Sequence, residues 1–464
     1  MDLLVALGGA PPRPHHRLAP VERAVDHHTL SGYRKLRRRA FVDEQRLFRG
    51  HDLDEHDAER STIVLVVRSA DREVLGGVRL YPRGGDPTLG WWQGGRLVCS
   101  PGLDRGRRRE VAAALVRAAC ATAELEGALR FDATVQPRYE PFFSGLGWQG
   151  IRPTECAGRP HLLMRRPIDR IERLVRATKA PLAGLLDGLA PGGAGWVGDD
   201  GAPVPGSDLV AATDAIVPSL VERDPEWAGW CGVLVSANDL AAMGAERLGA
   251  LDAVAGPDAD HVGRVLAGLR AGAQAFGLPI VGGHTQVGAP AALSVTGLGR
   301  AERPVPGGGG RIGDRIRLTA DVGGRWRPGY TGTQWDSTTA RSRAEIDAML
   351  GSVGRARPRA AKDVSMAGVA GTLGMLAEAS GCGAELRVAD VPRPRGASLA
   401  DWMTCFPGFA MLSAEEPGAP IPEAGPARSA VCGTLNSRPG VELVWPDGER
   451  TTALAGPATG LGAA

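Results

Sequence analysis

Four short segments rich in glycine and aspartate follow one another between residues 197 and 285, and each adjoins a short apolar run. They read VGDDGA at 197–202, ATDAIV at 212–217, SANDLAAMG at 236–244 and VGGHT at 281–285. We interpret them as turns at the ends of buried strands, where carboxylates from separate turns converge. Mg²⁺ prefers hard oxygen ligands and, when it binds a polyphosphate, keeps part of its water shell. The ordered set therefore favours a magnesium site for a polyphosphate ligand.

Any one of these aspartates has a simpler interpretation. An isolated Asp before a helix or within a turn serves most often as an N-cap or an Asx turn. The metal interpretation therefore depends on the ordered set and not on a single residue.

Composition limits the class of protein. A chain of 464 residues is long enough for two to four domains. The net charge of +2 gives no support for binding to nucleic acid or to an anionic membrane surface. Almost all of the basic charge is arginine, because lysine occurs only at 35, 179 and 362. The seven cysteines lack zinc-site spacing, and no apolar run approaches the roughly 20 residues of a membrane span. We expect a cytoplasmic protein.

Changes in pattern along the chain predict a multidomain architecture of α/β and α+β type. Residues 1–20 are expected to be a disordered leader, and residues 21–166 to form a mixed α/β sheet around a long alanine-rich helix at about 109–125. A charged helical linker follows at 167–180. The acidic segments fall in a domain at 181–305, a glycine-rich flexible break at 306–310 follows it, and a last domain spans 311–464 with a loose tail.

From about residue 180 onward, the acidic segments resemble the ATP-binding half of the AIR synthase-like (PurM-like) superfamily. That group includes selenophosphate synthetase, thiamine monophosphate kinase and a hydrogenase maturation protein. The resemblance implies a two-part fold that binds ATP and Mg²⁺. The metal ligands that it implies are Asp199, Asp200, Asp214 and Asp239. The resemblance extends to KDVSMAG at 362–368, which implies a catalytic role for Asp363 at the start of a long helix. The nucleotide-binding residues it implies are Gly192, Gly193, Asn238, Gly282, Gly283, His284 and Thr285.

The sequence departs from this superfamily at several positions, and these departures limit the reactions that we expect of it. His284 stands where relatives often carry an acidic residue, and it would be a poor Mg²⁺ ligand. Met366 replaces a second aspartate of the thiamine monophosphate kinases, and the reactive cysteine of selenophosphate synthetases is missing near Gly192. An insertion rich in tryptophan and arginine, at 325–336, is interpreted either as a wall of the acceptor pocket or as a packed loop.

The N-terminal block resembles the GNAT acyltransferase fold. The resemblance rests on YRKLRRRAFVDEQ at 33–45, GRLVCSP at 95–101, RRREVA at 107–112 and FFSGLGW at 142–148. It implies that acetyl-CoA or another acyl-CoA is held by Val98, Arg107 and Ala112, with the last two on a pyrophosphate loop at a helix N-terminus. Glu110 replaces a glycine of that loop. Phe143 stands at the position of the usual proton donor, which leaves Tyr139 as the candidate acid.

The fused pair resembles proteins encoded in nitrilase-associated gene clusters of bacterial nitrogen metabolism. The resemblance implies a bifunctional enzyme, in which one half acylates an amine and the other uses Mg·ATP to activate a carbonyl or amide oxygen of a small nitrogen-containing metabolite. It also implies a homodimer formed through the AIR synthase-like domain. Two alternatives remain open: the first block is only a binding or dimerisation module, or the whole chain is a nucleotide-sensing scaffold without turnover.

Overall fold

The structure is a computed structural model, and it describes residues 20–189 and 192–464. The described chain divides into two compact units, residues 20–168 and residues 169–464. All but the last residue of the predicted leader, residues 1–19, lie outside the described part.

The first unit contains a seven-stranded sheet with helices on both of its faces. Its strands are β1 (Val21–Arg23), β2 (Ile63–Arg68), β3 (Val74–Pro82), β4 (Trp91–Cys99), β5 (Arg130–Val135), β6 (Gln149–Cys156) and β7 (Arg159–Arg166). Its helices are α1 (His27–Arg37), which a π-helical segment (Arg38–Glu44) continues, α2 (Arg105–Leu125) and α3 (Glu140–Ser144). Short 3₁₀ turns lie at Glu55–Asp57, Arg83–Gly85, Pro87–Leu89 and Pro137–Tyr139.

The strand order is β1-β2-β3-β4-β5-β7-β6, and all neighbours are antiparallel except β4 and β5. Strand β2 is buried on both faces, as its uninterrupted apolar run predicts. Val64 and Val66 pack with Tyr33 of α1 on one face. Ile63, Leu65 and Val67 pack with α2 on the other face. The predicted mixed sheet is confirmed.

Helix α2 begins one turn earlier than its apolar spacing predicts. Asp104 is its N-cap, and its carboxylate accepts a hydrogen bond from the backbone N–H of Arg107 at 2.9 Å. The segment 107–112, predicted to be a pyrophosphate loop, therefore lies inside the helix. That placement was wrong because the N-cap aspartate, and not the apolar spacing, determines where the helix starts.

The second unit has two large sheets and a separate two-stranded hairpin. The part of the unit nearer the N-terminus contains the first large sheet. Its helices are α4 (Arg170–Thr178), α5 (Leu182–Leu185), α6 (Pro218–Arg223), α7 (Pro225–Ala242) and α8 (Ala259–Phe276). Its strands are β8 (Ala202–Pro203), β9 (Leu209–Ala215), β10 (Glu246–Gly256), β11 (Ile280–Val287) and β12 (Ala292–Arg300), in the sheet order β11-β10-β12-β9-β8. Helices α7 and α8 pack against one face of this sheet.

Two of the predicted turns in this region were wrong. Residues 236–242 lie inside α7, so that Asp239 stands on the last turn of a helix and not before one. Residues 281–285 lie inside β11, a strand at the edge of the sheet. Small residues explain both errors, since alanine and glycine next to polar residues resemble turn chemistry when a sequence is considered alone.

The second sheet of this unit has seven strands. They are β13 (Arg315–Ala320), β16 (Ala360–Asp363), β17 (Gly383–Arg387), β18 (Ala410–Glu415), β19 (Arg428–Asn436), β20 (Val441–Val444) and β21 (Arg450–Leu454), while β14 (Arg325–Trp326) and β15 (Trp335–Asp336) form a separate hairpin. The strand order is β16-β18-β13-β19-β17-β20-β21. The helices are α9 (Arg343–Leu350), α10 (Ser352–Ala356), α11 (Gly368–Ala379) and α12 (Leu399–Thr404), with a 3₁₀ turn at Val388–Asp390.

The glycine run at 306–310 is closely packed, so its interpretation as a flexible break was wrong. A Cβ atom on Gly308 would lie 2.5 Å from the carbonyl oxygen of Ala379, and one on Gly310 would lie 2.5 Å from Leu435. These glycines are present because neighbouring groups approach the backbone too closely for a side chain.

The tryptophan- and arginine-containing insertion packs against helices of the same unit. The Trp227 indole donates to Gln334 at 2.6 Å, and the Arg327 guanidinium lies over the Trp227 ring. These contacts favour the packed-loop interpretation. No helix within the described ranges is both long and apolar enough to cross a membrane.

Candidate functional site

A cavity of about 250 Å³ in the second unit contains most of the predicted acidic residues. Its acidic wall comprises Asp199, Asp200, Asp214, Asp239 and Asp363. The rest of its wall comprises Lys179, Leu182, Leu186, Val197, Gly198, Thr213, Ser365, Met375, Glu378, Ala379, Thr459, Leu461 and Gly462. Residues from α5, β9, α7, β16 and α11 thus meet the C-terminal segment at one place.

Three carboxylates form the centre of this cavity. Asp200, Asp239 and Asp363 each offer an oxygen, and these oxygens lie within 4.8 Å of one another. Burial, followed by the charges of the neighbouring carboxylates, raises the pKa of Asp239 well above its usual range. The pKa of Asp363 is raised for the same reasons, although Lys362 and Lys179 oppose the shift. Buried carboxylates so close together need a proton or a cation between them.

A divalent metal fits this group of side chains. Asp239 and Asp363 are 6% and 4% exposed, and the Oδ2 atom of Asp363 has no hydrogen-bond partner among the described residues. All three donors are carboxylate oxygens, the ligand type that Mg²⁺ prefers. They come from a loop, the end of α7 and the end of β16, which the fold brings together from distant parts of the sequence.

The two remaining predicted ligands lie beside this centre. Burial raises the pKa of Asp214, although a hydrogen bond with Asp239 and the charge of Lys179 act in the opposite direction. Burial raises the pKa of Asp199 to about 6, against the effects of the Gly307 backbone and of Lys362. In both residues, burial thus disfavours the ionised form unless a cation is nearby.

Asp200 is held from behind by Lys362. The Lys362 Nζ atom donates to Asp200 Oδ1 at 2.6 Å and to the carbonyl oxygen of Gly198 at 2.8 Å. The backbone N–H of Asp363 donates to Asp200 Oδ2 at 2.8 Å. Burial lowers the pKa of Lys362, but the charge and hydrogen bond of Asp200 outweigh that effect and raise it overall. This ion pair joins the acidic loop to strand β16.

Several predicted nucleotide-binding residues lie outside this cavity. Asn238 is fully buried, and its side-chain N–H₂ donates to the carbonyl oxygen of Gly408 at 2.7 Å, so it connects α7 to the second sheet. The other predicted residues are exposed or half-buried, and none of them lines the cavity: Gly192, Gly193, Gly282, Gly283, His284 and Thr285. Their roles in nucleotide binding stay predictions.

Sequence reasoning missed the contribution of the C-terminal segment. The Glu378 carboxylate accepts hydrogen bonds from the Thr459 backbone N–H at 2.8 Å, from the Thr459 hydroxyl at 3.1 Å and from the Gly462 N–H at 3.1 Å. Leu461 is thereby held in the cavity wall. The expectation of a partly loose tail was wrong, because Glu378 holds the segment together with backbone hydrogen bonds from Ala464 to Ala379 and from Ala183 to Thr459.

Lys362 was also not predicted as a site residue. A signal was available, since Lys362 is one of three lysines in a chain whose other basic residues are arginines. It also stands directly before Asp363.

The residues predicted to bind acyl-CoA all lie in the first unit. Val98 is buried in the core on the α1 face of the sheet. Arg107 and Ala112 lie in α2, and the Arg107 guanidinium is 3.7 Å from Glu110. Tyr139 is 44% exposed, and the Arg138 guanidinium lies over its ring. Phe143 is buried against Trp148. The acyltransferase roles of these residues stay predictions.

Comparisons with known proteins assign the second unit to a family. The family described as AIR synthase related protein, N-terminal domain, matches residues 198–301, and its C-terminal domain matches residues 331–444. An uncharacterized protein of Synechocystis sp. is 35% identical over 228 residues, which make up 48% of this chain and 70% of that protein. The chain belongs to the AIR synthase related proteins. The first unit lies outside both matched ranges.

Two further proteins are more distantly similar. The selenide, water dikinase of Myxococcus xanthus is 30% identical over 179 residues, or 37% of this chain and 48% of that enzyme. The crystal structure of phosphoribosylformylglycinamidine synthase II from Thermotoga maritima has a TM-score of 0.50 at 14% identity, covering 63% of this chain and 53% of that chain. The second likeness shows the fold alone, and it agrees with the predicted PurM-like architecture of the second unit.

Proposed function

We propose that the second unit binds Mg·ATP and transfers its terminal phosphoryl group to a carbonyl or amide oxygen of a small nitrogen-containing metabolite. The first unit then serves as a binding or dimerisation module. The observation that carries this proposal is the convergence of Asp200, Asp239 and Asp363 in one buried cavity. The name of the Myxococcus relative, a dikinase, supports phosphoryl chemistry in the family.

The roles of the side chains follow from their positions. Mg²⁺ held by the three carboxylates would neutralise the charge that builds up on the phosphates during transfer. Lys179 lines the same cavity and supplies a positive charge for a phosphate oxygen. The buried positions of Asp239 and Asp363 would limit the water that competes with the acceptor for the phosphoryl group.

The proposed reaction needs three reactants, namely ATP, the substrate and an amine, and its atoms balance. The bond between the β–γ bridging oxygen and the terminal phosphorus of ATP breaks, a bond from that phosphorus to the substrate oxygen forms, and ADP leaves. An internal or external amine then displaces the phosphate, which departs with the former substrate oxygen. This sequence agrees with the activation chemistry that the superfamily resemblance implies.

Calorimetric titration of Mg·ATP into the full chain tests the proposal. We expect binding in the wild type and its loss in Asp200→Asn and Asp239→Asn, with Asp208→Asn as the control because Asp208 pairs with Arg300 on the surface. If the folded wild-type protein bound no Mg·ATP, the scaffold interpretation would replace this proposal.

An acyltransferase in the first unit is a second candidate. One observation favours it: β4 pairs with β5 in parallel only over residues 91–94 and then continues along β3 alone, so the two strands part at Gly95. The Asp104 carboxylate at the N-terminus of α2 and the buried Phe143 count against it, since the first repels phosphate and the second has no proton to donate.

Acetyl-CoA titration into the full chain distinguishes the two candidates. Binding that weakens in Arg107→Ala would support an acyltransferase. A folded chain without binding would leave the first unit as a module for interaction only.

A homodimer through the first sheet of the second unit is also proposed. The face of this sheet opposite α7 and α8 is uncovered in a single chain, and it carries Leu251 at 41% exposure. Edge strand β11 adds Val281 at 64% and Val287 at 55% exposure. Exposed apolar side chains grouped on a sheet and its edge are typical of a surface that another chain covers.

A further inference from the structure

Lys362 lies behind the acidic cavity and does not line it. Its side chain is 1% exposed, and both acceptors of its ammonium group, Gly198 and Asp200, belong to the cavity wall. A substrate in the cavity therefore meets Asp200 and not Lys362. The lysine acts through the carboxylate that it holds.

The ammonium group occupies an oxygen-lined position that resembles a metal site. One carboxylate oxygen and one backbone carbonyl oxygen point at Nζ from 2.6 and 2.8 Å. These are the donor types that hard cations use. An ammonium group is a compact point charge with three donors, so it can replace a cation in such a place without a fixed coordination geometry.

The backbone around Lys362 leaves room for this arrangement. A Cβ atom on Gly307 would lie 2.6 Å from Asp199 Oδ1 and 3.2 Å from Lys362 Nζ. The closely packed glycine run thus lets the ammonium group and a second carboxylate lie side by side. Five aspartates and Glu378 line the cavity, whereas the positive charge that the described residues supply comes from Lys179 in the wall and from Lys362 behind it.

We propose that Lys362 is a positioning residue that takes the place of one divalent cation. It is the permanent counter-ion of Asp200, and it fixes the acidic loop against β16 before any metal arrives. The site consequently binds one metal ion fewer with its nucleotide than the same carboxylates would bind without the lysine. This inference rests on the proposed Mg·nucleotide function and concerns which groups neutralise the carboxylates of that site.

Counting bound Mn²⁺ by electron paramagnetic resonance tests the inference. The full chain is saturated with a non-hydrolysable ATP analogue, and the count is compared between the wild type and Lys362→Met, which keeps the length of the side chain but removes the charge. We expect one additional Mn²⁺ per chain in Lys362→Met. Lys35→Met, in the other unit, is the matched lysine control and should bind as many ions as the wild type.

A double variant separates charge from packing. Lys362→Met combined with Asp199→Asn removes one positive charge and the carboxylate that lies beside it near Gly307, so its Mn²⁺ count should return to the wild-type value. Thermal unfolding adds a second readout, because Mn²⁺ should raise the melting temperature of Lys362→Met more than that of the wild type.

Each outcome is decisive. An unchanged or smaller count in a folded Lys362→Met variant would overturn the inference while leaving the proposed function intact, and so would failure of this variant to fold even with millimolar Mn²⁺. A wild-type chain that binds neither Mn²⁺ nor the analogue would overturn the proposed function and this inference together.

Discussion

Asp239 shows how strongly a single buried carboxylate affects the metal-free protein. Its folded-state pKa lies well above the ordinary value of 3.8, first because of burial and then because of neighbouring carboxylates. The folded state therefore binds more protons than the unfolded state above about pH 4, so the free energy of unfolding falls as pH rises towards the raised pKa. In EDTA at about pH 8, we expect Asp239→Asn to be more stable than the wild type, because asparagine has no charge to bury among the neighbouring carboxylates.

Thermal melts across this pH range check the prediction at the residue scale. Asp208→Asn, at an exposed surface pair, is the control and should follow the wild type. Saturating Mg·ATP should reverse the order, since the cation stabilises the ionised Asp239 of the wild type. A wild-type protein whose metal-free stability stayed constant from about pH 5 to pH 8 would contradict the electrostatic argument.

Glu378 is the side chain of helix α11 that binds the C-terminal segment, beside the backbone hydrogen bond from Ala464 to Ala379. The Glu378 carboxylate accepts three hydrogen bonds from Thr459 and Gly462. A hydrogen bond to a charged group contributes about 1.5–3 kcal/mol to stability. We expect Glu378→Ala to release the segment, to speed hydrogen exchange at residues 456–464, and to weaken Mg·ATP binding about tenfold, or about 1.4 kcal/mol.

Glu385→Ala is the matched control at the element scale. Glu385 pairs with Arg450 at 2.6 Å in the same sheet, but it does not line the cavity. It should alter neither exchange at the C-terminal segment nor nucleotide affinity. Rapid exchange of that segment already in the wild type would show that Glu378 does not hold it in solution.

For the whole molecule, the uncovered sheet face predicts self-association. Stable interfaces bury about 1,200–2,000 Å² in total, which one sheet face and its edge strand can supply when two copies meet. We expect the wild type to be a dimer by light scattering, and Leu251→Lys combined with Val281→Lys to shift it to a monomer. The control is Leu125→Lys, because Leu125 is 89% exposed on α2 of the other unit.

A wild-type monomer at micromolar concentration would contradict the dimer prediction. If the double variant stayed a dimer, the interface would lie on another surface.

The sequence by itself determined the family, the main strands and the identity of the acidic residues. Apolar strand-like runs located β2, β3 and β4. Strand β2 shows the reason most clearly, because a strand buried on both faces needs apolar residues on both sides. The order of the acidic segments indicated the AIR synthase-like fold, which the family match confirms for residues 198–301 and 331–444. These features are local, and local patterns can be recognised without knowing what lies nearby in space.

The tertiary structure alone decided which acidic residues share a centre and what neutralises them. Asp200 and Lys362 are separated by 162 residues along the chain, and no spacing rule connects them. The glycines at 307–310 resemble a flexible break in the sequence, but folding packs three of them against other parts of the unit. Burial is a property of the assembled fold, and burial is what raises the pKa values of the carboxylates and makes the ammonium of Lys362 a fixed partner of Asp200.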